Sequence, residues 1–185
     1  MSSVIDYIIR PISAQDSAKN FKTGDSEFQP LKTYIQREAY SSVVSMVSQT
    51  YVCILRDEHG RDTNQIIGYI TLTCSEVDLK GTYMLDDYPG VHRYSYLPAV
   101  KIARLAVDSR YRGYGIGPEL VELATAISVE EIAPMIGCRF LVTDSKPKAI
   151  DFYYRNGFTF LDTEHNNQES SPVMFMDLLA ASAVE

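Results

Sequence analysis

Two arginines and three glycines crowd into RYRGYGIG, residues 110–117, directly before the apolar run PELVELATAISVEEI. Within that run Leu120, Leu123, Ala124 and Ile127 recur at helical spacing. Bare backbone at the entrance to a helix makes an anion site, because the first turn exposes unpaired N–H groups and the positive end of the helix dipole. Glycine permits close approach and Arg112 adds charge. Two common phosphate cradles do not fit. A P-loop requires Lys followed by Ser or Thr after its last glycine, and here Pro118 and Glu119 follow Gly117. A GxGxxG fingerprint beginning at Gly113 requires glycine where Pro118 stands. The remaining form is R-x-x-G-x-G, Arg112 to Gly117. Its neighbourhood is basic, with Arg93, Lys101, Arg104, Arg110 and Arg112 lying between Tyr88 and Gly115 against one acid, Asp108.

The elements that must hold this loop follow from periodicity. DYIIRPI alternates into a short strand closed at Pro11. Asp25 and Ser26 offer caps for a helical region over about 27–47, marked by Phe28, Leu31, Tyr34 and Ile35. YVCILRD and QIIGYITLTCSEVDL read as strands joined by a hairpin through EHGRDTN. An irregular, tyrosine-rich excursion follows, LKGTYMLDDYPGVHRYSYLP, and its length and turns suggest a substrate-facing loop. Its Tyr83, Tyr88, Tyr94 and Tyr96 are expected singly as packing residues and jointly as a wall for an acceptor. AVKIARLAVD is a strand and the glycine loop leads into the next helix, with Pro118 suited to its first position. CRFLVTD, FTFLDT and PVMFMDLL are strands, and KPKAIDFYYRN is a helix ended by Gly157. The order predicts an α/β (α+β) fold in which helices flank a mixed sheet of about six or seven strands.

The chain has 185 residues, 45% hydrophobic and 11% aromatic, which suffices for one domain spanning 1–185. No window has the apolar length of a membrane span and no leader is evident, so a cytoplasmic protein without membrane association is expected. Cys53, Cys74 and Cys138 lack CxxC spacing and read as buried reduced thiols, with no metal site. A formal charge of −7 argues against coating nucleic acid through the overall field.

IARLAVDSRYRGYGIG resembles the fourth strand and coenzyme loop of the GNAT superfamily of N-acetyltransferases, and AIDFYYRNGF resembles the signature that family carries further along. IIRPIS and NQIIGYITL are similar to its first and third strands. The resemblance implies an enzyme that transfers an acetyl group from acetyl-CoA to a primary amine in a ternary complex, without a metal. It places the pyrophosphate on Arg112, Gly113, Tyr114, Gly115, Ile116 and Gly117, and the pantetheine arm and acetyl oxygen beside Leu105, Ala106 and Val107. By alignment to Gly157, Tyr153 becomes the catalytic proton donor to the leaving thiolate, with the adjacent Tyr154 as competitor. Glu76 and His92 are candidates for the base, while His59 and His165 read as solvated loop residues. A narrower similarity, carried by FKTGDSEFQPLKTYIQREAY, LVTDSKPKAIDFYYRNGF and Lys146, is to the branch containing bacterial toxins that acetylate aminoacyl-tRNA and are neutralised by an antitoxin. The net charge stands against that branch. A homodimer is possible, and a coenzyme-binding module without turnover is the reading from a different class.

Overall fold

The computed structural model describes residues 5–79, 83–88, 90 and 93–182. Among them the strands β1 (Tyr7–Pro11), β2 (Gln49–Arg56), β3 (Asp62–Val77), β4 (Leu97–Val107), β5 (Phe140–Asp144), β6 (Thr159–Phe160) and β7 (Val173–Asp177) form one seven-stranded sheet in the order β1-β2-β3-β4-β5-β7-β6. The pairs β1–β2, β2–β3, β5–β7 and β7–β6 are antiparallel, whereas Ala99 to Ile102 of β4 run parallel to Phe140 to Thr143 of β5. This is the mixed sheet that the sequence pattern predicts. By contact density the chain divides into two units, residues 1–73 with 103–122 and residues 74–102 with 123–185.

In the first unit, β1 sits at the sheet edge, which lets Pro11 end it without breaking a ladder on two sides. Asp57 turns the β2–β3 hairpin by accepting from the amides of His59 and Arg61, each at 2.9 Å. The core here gathers Phe21, Tyr34, Ile35, Ala39, Val52, Ile54, Ile66 and Tyr69. Tyr69 is fully buried, so its hydroxyl needs a partner, and it donates to the Leu31 carbonyl at 2.8 Å. The expected helix over 27–47 is two helices instead, α1 (Gln29–Arg37) and α2 (Ala39–Val44), after a short turn that Asp25 caps through the Glu27 amide. The break at Glu38 has a packing reason: it lets Tyr34 and Ile35 from α1, and Ala39 and Val43 from α2, share one core.

In the second unit, Val77, Leu85, Ala99, Phe140, Val142 and Phe175 make the core, with Tyr83 edge-on to Phe175 at 5.0 Å. The helix α3 (Ile116–Ala126), most of which belongs to the first unit, runs into a π-helical turn, Ile127–Ile132, and then α4 (Ala133–Ile136). The buried Ser128 hydroxyl donates to the Ala124 carbonyl at 2.7 Å, a back-bond that competes with the regular helical ladder. The helix begins two residues earlier than the sequence suggests, so Pro118 falls at its third position, where the missing N–H is still one of the four orphans. The strand around FTFLDT shortens to β6, and two helices appear that the pattern hid. α6 (Glu164–Asn167) forms because buried Asn166 donates to Leu161 and Val173 carbonyls and accepts from the Val173 amide. After β7 the expected strand turns into α7 (Leu178–Ser182), capped by Asp177 through the Leu179 amide at 3.1 Å. The thiols also differ from expectation. Cys53 is buried, but Cys74 is exposed and Cys138 half-buried, since alternation along β3 turns Cys74 outward.

Candidate active site

Asp108 organises the glycine loop. It lies at the end of β4 with a fully buried carboxylate, which accepts from the Arg110 amide at 3.0 Å, the Arg110 guanidinium at 2.7 Å and the Lys22 amide at 3.0 Å. Burial pushes this carboxyl up, but Arg110 and the two amides outweigh it and hold it below the usual carboxylate range. Sequence reasoning missed this residue. Its signal was an acid preceding S-R-Y, the N-cap position of the turn Ser109–Tyr111.

Beyond that turn Gly113 and Gly115 adopt φ of +86° and +84°, a left-handed backbone in which a Cβ costs about 1–2 kcal/mol. A Cβ built on either would meet no atom within 4 Å, so both glycines face open space and serve backbone conformation rather than packing. Ile116 then anchors the start of α3. It is 1% exposed and presses on Gly68 of β3, where a Cβ would lie 2.9 Å from its Cγ2. The amides of Ile116 and Gly117 are orphans of the first turn, and the left-handed glycines bend the preceding backbone around the same point. These residues fit a pyrophosphate.

The expected ring of cations is mostly committed elsewhere. Lys101 pairs with Asp144 at 2.5 Å, the Arg104 guanidinium stacks 3.8 Å over the Tyr34 ring, and Arg110 belongs to Asp108. Arg112 is exposed but donates to the Thr23 carbonyl. The loop therefore relies on backbone dipoles more than on side-chain charge. Along β4, Ala106 turns into the core while Leu105 and Val107 are half-buried, as strand alternation requires. In the first turn of α3, Glu119 accepts from the Tyr7 hydroxyl of β1, and burial followed by Glu119 pushes that phenol well above its usual range.

In the second unit α5 (Ile150–Arg155) carries Tyr153 and Tyr154 on different faces. Tyr153 is 6% exposed, with its ring 5.1 Å from Phe152 and 5.2 Å from Phe158, whereas Tyr154 is 49% exposed. Burial raises the Tyr153 phenol, and a hydrogen bond with the Thr143 side chain of β5 opposes that shift. Gly157, at φ +85°, terminates the helix as expected. In the excursion Tyr83 packs into the core and donates to Asp177 at 3.2 Å, while Tyr88, Tyr94 and Tyr96 stand 48 to 59% exposed. Arg139 ties the same segment down, bonding Asp87 at 2.6 Å and Asp177 at 2.7 Å. Glu76 is exposed on β3, and His92 lies outside the described residues. His59 sits against Glu58 and His165 against Glu169, both well exposed, as expected of loop histidines.

The sequence profile of the Acetyltransferase (GNAT) domain matches residues 48–160, which include the loop, β4 and α5. The chain belongs to the GNAT family. It is an acetyltransferase that uses acetyl-CoA as donor to an amine. Three solved structures resemble this GNAT protein end to end. A tyrosine-to-phenylalanine variant of KacT superimposes with a TM-score of 0.80 at 22% identity, covering 97% of this chain and 99% of the other. AtaT complexed with acetyl-methionyl-tRNA gives 0.77 at 21%, covering 97% and 99%. A tyrosine-to-phenylalanine AtaT toxin bound to the C-terminus of the antitoxin AtaR and acetyl-CoA gives 0.72 at 20%, covering 97% and 98%. At these identities the likeness is one of fold. Among the described residues of the GNAT chain, no helix is long and apolar enough to cross a membrane.

Proposed function

We propose that residues 1–185 act as one N-acetyltransferase domain whose acceptor is the amino group of an aminoacyl-tRNA. The observation that carries the coenzyme half is the pair of left-handed glycines opening α3 onto free space. When bound, acetyl-CoA supplies the acetyl group as a thioester. The backbone from Arg112 to Gly117 holds its pyrophosphate, and the backbone of Leu105, Ala106 and Val107 aligns the pantetheine arm as an added strand. Tyr153 donates the proton that the departing sulfur needs. An ordinary phenol, at about 10, is already protonated at neutral pH and burial raises this one further, so an O–H is available, whereas Tyr154 is exposed to solvent. The base that leaves the amine neutral is unassigned, with Glu76 and His92 as candidates.

The acceptor reading is supported by the end-to-end likeness to KacT and AtaT and by where the acidity sits. The first unit has ten Lys and Arg against eleven Asp and Glu, and the second has seven against thirteen. The negative charge is therefore concentrated away from the glycine loop's own unit, and an RNA phosphate meets a nearly neutral surface there. On this reading the protein works in the cytoplasm as a toxin with an antitoxin partner, and a homodimer is the assembly to test for. A small amine or a peptide is the second reading, favoured by the net charge of −7. The deciding experiment incubates purified protein with labelled acetyl-CoA and either bulk aminoacylated tRNA or a panel of small amines and peptides. Label on the aminoacyl group establishes the first reading, and label only on a small amine or peptide replaces it with the second. Loss of turnover with retained coenzyme binding in Tyr153→Phe separates an enzyme from a binding module.

A further inference from the structure

A pocket of about 360 Å³ opens beside the coenzyme loop, bordered by Lys22, Gly24, Ser26, Lys32 and Ser109. Two of its lining residues are lysines. Elsewhere in the same unit Arg10, Arg56, Arg61 and Arg110 each pair with a carboxylate. Neither the Lys22 nor the Lys32 ammonium makes an ion pair among the described residues, and both border this one concavity. Arg112 adds a third cation at the wall. It donates to the carbonyl of Thr23, and a Cβ on Gly24 would lie 3.6 Å from its Nη1. Asp25 is the acid in the lining, and its Oδ1 is engaged by the Glu27 amide at 3.0 Å. The lining thus holds two lysines and one carboxylate that already caps a turn, with Arg112 beside it against Thr23 and Gly24. The hydroxyls of Ser26 and Ser109 add donors that suit phosphate oxygens.

The shape is maintained by the backbone. Gly24 has φ +74°, and a Cβ there would press on the Ser109 Cβ at 3.0 Å, so a larger residue would strain the loop that floors the pocket. The Lys22 amide bonds to Asp108 at 3.0 Å and the Ser109 amide to the Lys22 carbonyl at 2.8 Å. The pocket and the glycine loop are therefore braced through the same two residues.

We propose that this pocket is a second phosphate subsite, distinct from the pyrophosphate cradle, whose ligand is a phosphate ester held by Lys22 and Lys32 with Arg112 at its wall. The inference rests on the acetyltransferase reading above. Two sources offer that chemistry, the 3′-phosphate of the coenzyme and a backbone phosphate of an RNA acceptor. The test compares wild type with Lys22→Gln/Lys32→Gln, and with Lys22→Arg/Lys32→Arg as the charge-keeping control. KM is measured for acetyl-CoA and for its 3′-dephospho analogue, and aminoacylated tRNA binding is measured by filter retention at several salt concentrations. If the coenzyme is the source, KM for acetyl-CoA rises about tenfold in the glutamine variant while that for the dephospho analogue stays put, since each lost phosphate contact removes a charge-assisted bond. If RNA is the source, tRNA binding weakens about tenfold and the slope of log affinity against log salt shrinks by about two, one per lysine. The arginine variant keeps either function. Unchanged constants in both arms, with unchanged melting temperature, overturn the subsite. If wild type fails to acetylate tRNA, the acceptor reading falls, and the coenzyme arm, run with an accepted small amine, together with tRNA retention still decides the pocket.

Discussion

At the scale of single residues, the buried phenol of Tyr153 and the exposed one of Tyr154 make opposite predictions. Tyr153→Phe should lower kcat by about a hundredfold, the low end of general acid contributions, with KM for acetyl-CoA nearly constant. Tyr154→Phe should leave both within a factor of two. A steady-state comparison checks this, and equal losses in the two variants would remove Tyr153 from its role. Asp108 makes a second prediction, in pH. Its folded carboxyl lies below the unfolded value of about 3.9, so its contribution to stability is present above that pH and is lost as pH falls through the folded value. Melting temperature should therefore drop on acidification below about pH 4, and Asp108→Asn should be less stable at neutral pH while showing a flatter acid limb. A variant with the wild-type slope would show that other carboxylates govern the acid transition.

At the scale of elements, the turn from β4 into α3 and the tie on the excursion can be tested separately. Gly115→Ala forces a side chain into a left-handed backbone, at a cost of about 1–2 kcal/mol, and should raise KM for acetyl-CoA about five- to thirtyfold. Arg139→Gln leaves Asp177, whose side chain is 6% exposed, without its guanidinium partner and should destabilise the fold by about 3 kcal/mol in urea unfolding. Asp87→Asn, at the solvent end of the same pair, should cost far less yet still speed proteolysis near residues 83–88. These elements also mark what was legible beforehand. The glycine loop, α5 and the sheet were readable because each is written locally, in glycine spacing or in period-two alternation. The break at Glu38, α6 and the Asp177 cap were not, because each depends on a distant partner: a shared core for Ala39, the Val173 backbone for Asn166, the Arg139 guanidinium for Asp177. The basic neighbourhood of the loop was legible as composition but misleading as electrostatics, since Lys101, Arg104 and Arg110 have partners that spacing does not reveal.

At the scale of the whole molecule, the three thiols should report the fold by their reactivity. Cys74 should react within minutes with a thiol reagent in the native state, Cys138 slowly, and Cys53 only on global unfolding, because burial suppresses its thiolate. Three equal fast phases in native protein would contradict the placement of β2. The position of β7 has a consequence for how the protein is made. β7 lies between β5 and β6 in the sheet although both precede it in the chain. A ribosome must therefore deliver residues 173–177 before β5 gains its second neighbour, and until then the nascent chain presents the backbone of Phe140 to Asp144 as a bare apolar edge. The sheet closes only after residues 173–177 emerge, and a stall before residue 173 leaves an unsealed strand for a chaperone or a second nascent chain to engage.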